Sequence, residues 1–282
     1  MIHLVIDSIS DIGPAEAAAL GVELLILPVR FGEEEFHEGV DLTREEFYQR
    51  LRACTDSLPK TSQITPDQYK KVFRRLTENE GDEVVCLVGS SKLSGCCQSA
   101  RVAREMLRNP ERVIVIDSKI AISGYALLAR MAAAYRPLCT TAQELADYIV
   151  SLRDHQRTYG QADDLRYLVL GGRLNPAIAK AGTALHIKPM LVFEHGEVHQ
   201  AGLVRGKDKA LPWYADKLRQ YPPRTDIPLV IAGADCPETV ERTKAYLSSL
   251  DIDLPPIETM DVGPVVGTYV GPGLIAVSWI EA

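Results

Sequence analysis

Residues 83–106, EVVCLVGSSKLSGCCQSARVAREM, hold a strand, a loop and a helix in succession, and the fold class follows from that order. Val84 to Val88 is an unbroken apolar run of the length of a buried strand. Beyond the loop, Ala100, Ala103, Met106 and Leu107 recur at helical spacing. Between them Gly89 to Gly95 carries three serines, a lysine and two glycines, with Ser94 where a helix cap is expected. A helix start offers unpaired N–H groups and a partial positive charge, which makes it a natural seat for an anionic head group. The loop contains neither GxxxxGK[ST] nor GxGxxG, so the usual nucleotide cradles are not matched. An ordinary capped strand-to-helix turn accounts for the same residues equally well.

The pattern around this unit repeats. Strands are expected at 2–6, 24–30, 83–88 and 112–116, and helices at about 14–20, 43–52, 66–78, 95–108, 122–135 and 141–157. Such alternation predicts a parallel sheet with helices on both faces. Ile6-Asp7-Ser8 and Ile116-Asp117-Ser118 echo each other, each placing an acid and a hydroxyl where an apolar strand ends. In open parallel sheets that end faces the ligand crevice; a simple cap on the following helix is the alternative. The texture changes near Ala162. Leu165–Leu170 is apolar and is broken by Gly171-Gly172, and Pro176 to Leu185 is expected to be helical. Lys188–Glu194 and Glu197–Arg205 read as strands of a hairpin turning at His195-Gly196. Helices at 206–220 and 237–249 and strands at 227–233, 256–261 and 273–280 complete the chain. The expected fold class is therefore α/β in two lobes, a parallel-sheet lobe at 1–158 and a second lobe at 159–282 with a mixed or antiparallel sheet. The polar stretch Arg157–Gln161 marks the boundary.

Composition narrows the function. The 282 residues are 46% hydrophobic, enough for a substantial core. A formal charge of −7 without a Lys/Arg-dense run argues against a nucleic-acid surface. Six cysteines without CxxC spacing read as reduced thiols, neither a disulfide frame nor a zinc site. The chain opens in a strand without a basic leader, and no apolar run nears the roughly 18 residues needed to span a bilayer. A soluble, cytoplasmic protein is expected. His195 and His199 stand four apart, but at a hairpin tip and without an HExxH motif, so exposed turn histidines are expected. No GxSxG elbow accompanies the serines.

A second hydroxyl cluster, Pro59-Lys60-Thr61-Ser62-Gln63-Ile64-Thr65-Pro66, precedes the helical pattern of Tyr69, Val72, Phe73 and Leu76. Thr65-Pro66 is a cap followed by a first-turn proline. With the 89–95 loop and Asp7-Ser8-Ile9-Ser10-Asp11, this cluster resembles the DegV family, the bacterial fatty-acid-binding proteins also called FakB. The resemblance continues through Val115–Lys119, Leu168–Leu174, His186–Leu191 and Gly263–Gly273, seven motifs in order over nearly the whole chain.

The resemblance implies a carrier and not an enzyme. It implies that an acyl chain is buried in one lobe, that the carboxylate of a long-chain fatty acid lies in the cleft between lobes, and that no cofactor is required. A separate ATP-using fatty-acid kinase phosphorylates that carboxylate, and acyltransfer enzymes of phospholipid synthesis take the product. Thr61 or Ser62, with Ser94 and the Gly95 backbone, are the implied carboxylate-binding groups, while Arg173 and Tyr269 face the head group or incoming phosphoryl. An ion pair from Arg173 to Asp163 or Asp164 is the structural alternative, and Lys188 is expected to be a surface or lobe-contact lysine. Tyr269 departs from the family pattern, which has histidine there. A phenol donates a hydrogen bond but is ordinarily neutral at pH 7, so a step needing a protonated imidazole is in doubt. Cys96 stands where threonine is frequent. The alternative function is an enzyme or sensor for another small anionic, phosphorylated metabolite using the same loops.

Overall fold

In a computed structural model describing residues 1–54, 57–175, 187–205 and 209–282, the first half of the chain alternates short strands with helices. In order it runs β1 (Ile2–Asp7), α1 (Pro14–Leu20), β2 (Glu23–Leu25), β3 (Val29–Phe31), β4 (Glu34–Phe36), α2 (Arg44–Ala53) and β5 (Lys60–Thr61). It continues with α3 (Pro66–Leu76), β6 (Glu83–Val88), α4 (Cys96–Glu105), β7 (Val113–Asp117), α5 (Ile122–Tyr135) and α6 (Ala142–Asp154). Strands β2-β1-β6-β7 form an all-parallel sheet, as the alternation predicts. The expected strand at 24–30 is two short ones, and the second joins β4 and β5 in a small antiparallel sheet. Its third strand carries Thr61 beside Val29. Helices α2 and α3 begin with reciprocal capping boxes, Thr43 with Glu46 and Thr65 with Gln68, and Pro66 occupies the first turn of α3.

The second half comprises β8 (Gln156–Gln161), α7 (Arg166–Leu170), β9 (Ile187–Glu194), β10 (Glu197–Arg205), α8 (Ala210–Gln220), β11 (Leu229–Gly233), α9 (Pro237–Ser248), β12 (Ile257–Asp261), α10 (Pro264–Val270) and β13 (Ile275–Ile280). They build a mixed six-stranded sheet in the order β10-β9-β8-β13-β11-β12, in which β11 and β12 are parallel and the other neighbours antiparallel. The polar stretch expected as a boundary is an inner strand of this sheet, so the passage from one sheet to the other falls at His155. The reason is visible in β8, where Tyr159 packs among Trp213, Tyr221 and Trp279 on one face while Thr158 and Gly160 point to the other. The expected helix at 176–185 lies outside the described residues, as do residues 206–208 at the start of the helix expected at 206–220.

Helix α5 joins the two halves. It packs against β1 of the parallel sheet and against β8, β11 and β13 of the mixed one. Ten of its 14 residues are buried, which explains a sequence apolar on nearly every face. A polar clamp does the same work beside it. Arg44 Nε donates to Glu38 Oε1 at 2.6 Å, and its two terminal nitrogens donate to the carbonyls of Asp11 and Asp261, each at 2.6 Å. Asp11 Oδ1 in turn accepts from the Gly263 N–H at 3.0 Å, and Tyr48 Oη donates to the Val262 carbonyl at 3.0 Å. The start of α10 is thus held by residues from the first half of the chain.

Three buried carboxyl groups sit near this junction, Asp7, Asp11 and Glu38. Burial pushes Asp7 up to about 7, against the hydrogen bonds it accepts from Gly89 and Ile9. Burial likewise holds Asp11 well above the usual carboxylate range and raises Glu38, with Arg44 opposing both. A carboxyl whose folded-state affinity for a proton exceeds that of the unfolded chain stabilises below its unfolded value, about 4, and loses that contribution as pH rises through its folded value. Stability against urea is therefore expected to fall between pH 5 and pH 8. Asp7→Asn should reduce that fall by about 2–3 kcal/mol. Equal pH slopes in the wild type and the variant, from urea titrations at both pH values, would contradict the assignment.

Candidate functional site

An apolar cavity lies between the two sheets. Ile9 and Leu27 wall it from the first half, Leu168, Leu191 and Phe193 from the second, and Val265, Val266 and Val270 of α10 close one side. Thr61, Ser94, Arg173 and Tyr269 bring polar side chains to its lining, and Thr61, Arg173 and Tyr269 are joined to one another. Thr61 Oγ1 and Tyr269 Oη share a 2.7 Å hydrogen bond. The Arg173 guanidinium stacks 4.1 Å from the centre of the Tyr269 ring, donates through Nε to the Leu93 carbonyl at 3.1 Å and through Nη1 to the Gly171 carbonyl at 2.5 Å. Ser94 adjoins Leu93, so the loop after β6 meets the guanidinium directly. Thr61, Arg173 and Tyr269 also line an outer hollow with Lys60, Leu170 and Thr268, so the polar end of the cavity is the end nearest solvent.

Each side chain arrives from a different element. Thr61 sits on the short β5, whose pairing with β3 is extended by the Ser62 N–H donating to the Pro28 carbonyl at 3.2 Å. Ser94 belongs to a turn in which the Leu93 and Ser94 N–H groups both donate to the Ser90 carbonyl at 3.0 Å. Asp7 fixes the start of that turn, accepting from the Gly89 N–H through Oδ2 at 3.0 Å and from the Ile9 N–H through Oδ1 at 3.0 Å. Asp117, at the equivalent end of β7, accepts from the Ser91 N–H and hydroxyl at 3.1 and 2.5 Å. The paired Asp-Ser ends of β1 and β7 thus shape the loop between them. From the mixed sheet the hairpin tip reaches the same loop, the Ser90 hydroxyl donating to the Gly196 carbonyl at 2.6 Å. His195 and Gly196 form that tip with positive φ angles of 52° and 88°.

Close packing at two glycines draws these pieces together. A Cβ on Gly95 would lie 1.6 Å from Gln63 Oε1, so the Gln63 side chain rests on the Gly95 backbone and the two hydroxyl-bearing loops touch. A Cβ on Gly171 would lie 2.4 Å from Tyr269 Cδ1 and 3.0 Å from the Tyr167 carbonyl, so the turn after α7 lies flat against the Tyr269 ring.

A model described as "Uncharacterised protein, DegV family" matches residues 1–282. The chain belongs to the DegV family. A DegV domain-containing protein of Halalkalibacterium halodurans is 32% identical over 285 residues, covering 99% of this chain and 98% of its own. One from Deinococcus radiodurans is 32% identical over 283 residues, covering 98% and 97%. Among solved structures, a DegV-family protein from Thermus thermophilus described as fatty-acid binding matches with a TM-score of 0.89 at 27% identity, over 100% of this chain and 99% of that one. A fatty-acid-binding DegV-family protein from Streptococcus agalactiae gives 0.87 at 25% identity, over 100% and 99%. The membership that the seven motifs imply is thereby shown, as is the α/β architecture.

Of the six residues singled out from sequence in this DegV chain, four meet at the cavity and two do not line it. Ser62 is exposed, and Gly95 serves the contact with Gln63. Arg173 makes neither of the expected ion pairs: Asp163 bonds Lys188 at 2.7 Å, which makes Lys188 a pairing residue within the second half, and Asp164 pairs with Arg166 at 3.0 Å. Sequence reading did not single out the small residues Gly160 and Ala276 on the cavity wall, or Thr158. Their side chains carry no motif, and only the register of β8 against β13 brings them together. Among the described residues no group of three metal-ligating side chains occurs, and no helix is long and apolar enough to cross a membrane.

Gly171→Ala is expected to cost about 1–3 kcal/mol in urea unfolding, because the added methyl meets a ring and a carbonyl that cannot both yield. In a double-mutant cycle Tyr269→Ala should recover part of that cost. Strict additivity would show that the ring is not what the glycine accommodates.

Proposed function

We propose that this chain binds a long-chain fatty acid, buries its acyl chain in the cavity and holds its carboxylate at the polar end for phosphorylation by a separate fatty-acid kinase. The observation that carries this reading is the division within a single cavity: apolar walls drawn from both halves of the chain, with Thr61, Tyr269 and Arg173 gathered at the end nearest solvent and Ser94 also on the lining. Burying roughly 14 methylenes at about 0.8 kcal/mol each gives a gross gain of about 11 kcal/mol. Association and ordering remove a large part of it. The tail therefore supplies affinity and the head-group residues supply position. A carboxylate buried without donors would be costly, which is the physical role assigned to Thr61, Ser94, Tyr269 and Arg173. Ser62 and Gly95 act by shaping their loops. The fatty-acid-binding proteins from Thermus thermophilus and Streptococcus agalactiae support the same ligand class.

In this reading the chain is a cytoplasmic carrier whose second lobe opens with β8 at Gln156. The outer hollow exposes Arg173 and Tyr269, so a kinase approaching there reaches the carboxylate without opening the acyl cavity. Nucleotide and metal chemistry then belong to the kinase, and the acyl phosphate passes to acyltransfer enzymes. A small phosphorylated metabolite is the less favoured ligand, because the apolar walls would face its polar groups unpaired.

Organic extraction of the natively purified protein, followed by mass spectrometry, should release a fatty acid at near one equivalent. An extract without lipid, together with no binding of added oleate or palmitate, would overturn the proposal. Ser94→Ala should weaken binding about 5- to 30-fold, the loss of one hydrogen bond to a charged group, with thermal stability retained. Unchanged affinity would remove Ser94 from the head-group site. Incubated with oleate and Mg-ATP, the chain alone should form no acyl phosphate; turnover without a second protein would contradict the carrier role.

A further inference from the structure

One polar side chain on the cavity lining, Thr158, is joined to none of the head-group residues. It belongs to a separate hydrogen-bonded chain that runs into the core. Thr158 Oγ1 lies 2.6 Å from Ser278 Oγ, and Ser278 Oγ lies 2.7 Å from Ser123 Oγ. Ser123 and Ser278 are wholly buried and Thr158 nearly so. At the other end Gln156 Nε2 is 2.5 Å from Thr158 Oγ1. That is shorter than the about 2.7–3.2 Å of N–H···O bonds and ordinary for O–H···O. With the amide turned over, its oxygen accepts the Thr158 proton, Thr158 accepts from Ser278, and Ser278 accepts from Ser123. Each member then bonds the next, and Thr158 has no proton to offer the cavity.

The register explains why this chain forms an edge of the cavity. Gly160 lies opposite Ala276 and Thr158 opposite Ser278 on the paired strands β8 and β13. The small pair leaves room, and the hydroxyl pair one step further along fills it. Helix α5 supplies the third side: its start contributes Ala121 and Ile122 to the cavity lining and Ser123 to the hydroxyl chain. A wall of apolar side chains yields to a longer ligand by changing rotamer. This one yields only by breaking hydrogen bonds in a place without water to replace them.

The geometry points to the Gln156–Thr158–Ser278–Ser123 chain as the stop that sets the longest acyl chain the cavity accepts. The inference rests on the proposed fatty-acid ligand and adds a determinant of chain length that shares no hydrogen bond with the head-group residues. Thr158 acts as a specificity residue by contact, and Ser278 and Ser123 act by holding it.

The test is native mass spectrometry of delipidated protein with an equimolar mixture of saturated acids from 12 to 20 carbons. The wild type should show a sharp upper limit, with at least tenfold discrimination between the longest acid accepted and the next even-numbered one. The double variant Ser123→Ala/Ser278→Ala removes two mutually bonded hydroxyls and keeps the bond between Gln156 and Thr158. It should accept acids two to four carbons longer within about threefold of the wild type's best ligand, while affinity for the shorter acids stays within threefold. Thr158→Ser, which keeps every hydroxyl and removes one methyl, supplies the same test if the double variant does not fold, with a smaller shift in the limit. An unchanged limit in a folded variant, or a wild type that binds acids without any limit, overturns the stop and leaves the fatty-acid reading standing. A wild type that binds none of the acids overturns both. Equal weakening at every chain length, the result expected of Ser94→Ala, would place the hydroxyl chain's effect at the head group and overturn the stop.

Discussion

The five residues Asp7 to Asp11 form the constraint on which the rest of the arrangement depends. Asp7 ends β1 and accepts from the Gly89 N–H, which fixes the loop carrying Ser94. The Ser8 hydroxyl accepts from the Leu27 N–H at 2.9 Å, which positions a residue of the cavity wall. Ile9 enters that wall itself. Asp11 accepts from the Gly263 N–H and so anchors the start of α10, the helix that ends with Tyr269 and Val270. One short segment therefore holds the head-group loop from the parallel sheet and the head-group helix from the second half at a fixed separation. The cost is two buried carboxyl groups, and the burial that raises their proton affinity is the price of that precision.

The cavity follows from the same economy of joining two sheets across one helix. α5 is buried against both sheets and keeps them apart, and its alanines allow close approach on each side. Beside it the sheets would meet if their facing residues were large. Gly160 and Ala276 instead give space on the mixed sheet, while α10 supplies valines from the opposite wall. Apolar space of this kind is stable only where elements around it are tied by bonds that do not depend on its being filled. The Arg44 clamp and the chain of hydroxyls at Thr158 are such ties. Neither uses Thr61, Ser94, Arg173 or Tyr269.

Much of this was legible in the sequence, and the reasons differ by element. The parallel sheet was, because strands buried on both faces read as unbroken apolar runs such as Val84 to Val88. The hairpin at His195-Gly196 was, because its turn residues are specific to its geometry. Thr61, Ser94, Arg173 and Tyr269 stood out because the segments that hold them resemble motifs of the family. β8 was not legible: Gln156 to Gln161 contains no aliphatic side chain, since one face serves a cavity and the other an aromatic cluster. One of its partners, β13, is more than 100 residues away, and local periodicity carries no trace of it. The contact of Gly95 with Gln63 was not legible, because a glycine in a loop announces room without saying what fills it.

The tyrosine at position 269 takes its meaning from the group around it. Thr61 and Tyr269 have two hydroxyl protons and share one hydrogen bond, so one proton remains to be donated elsewhere. Of the five guanidinium protons of Arg173, the bonds to Leu93 and Gly171 use two. Among the described residues no carboxylate joins this group, which is therefore rich in donors, positively charged and open to an anion. A histidine in place of Tyr269 would add a second charge that varies with pH near neutrality. The phenol removes that variable and adds a ring face on which the guanidinium rests. Attraction for an anion here consequently depends on Arg173 for its charge and on the hydroxyls for direction. Under the proposed reading, the step that departs from the family pattern is proton transfer at the carboxyl group, while capture of the carboxylate is retained.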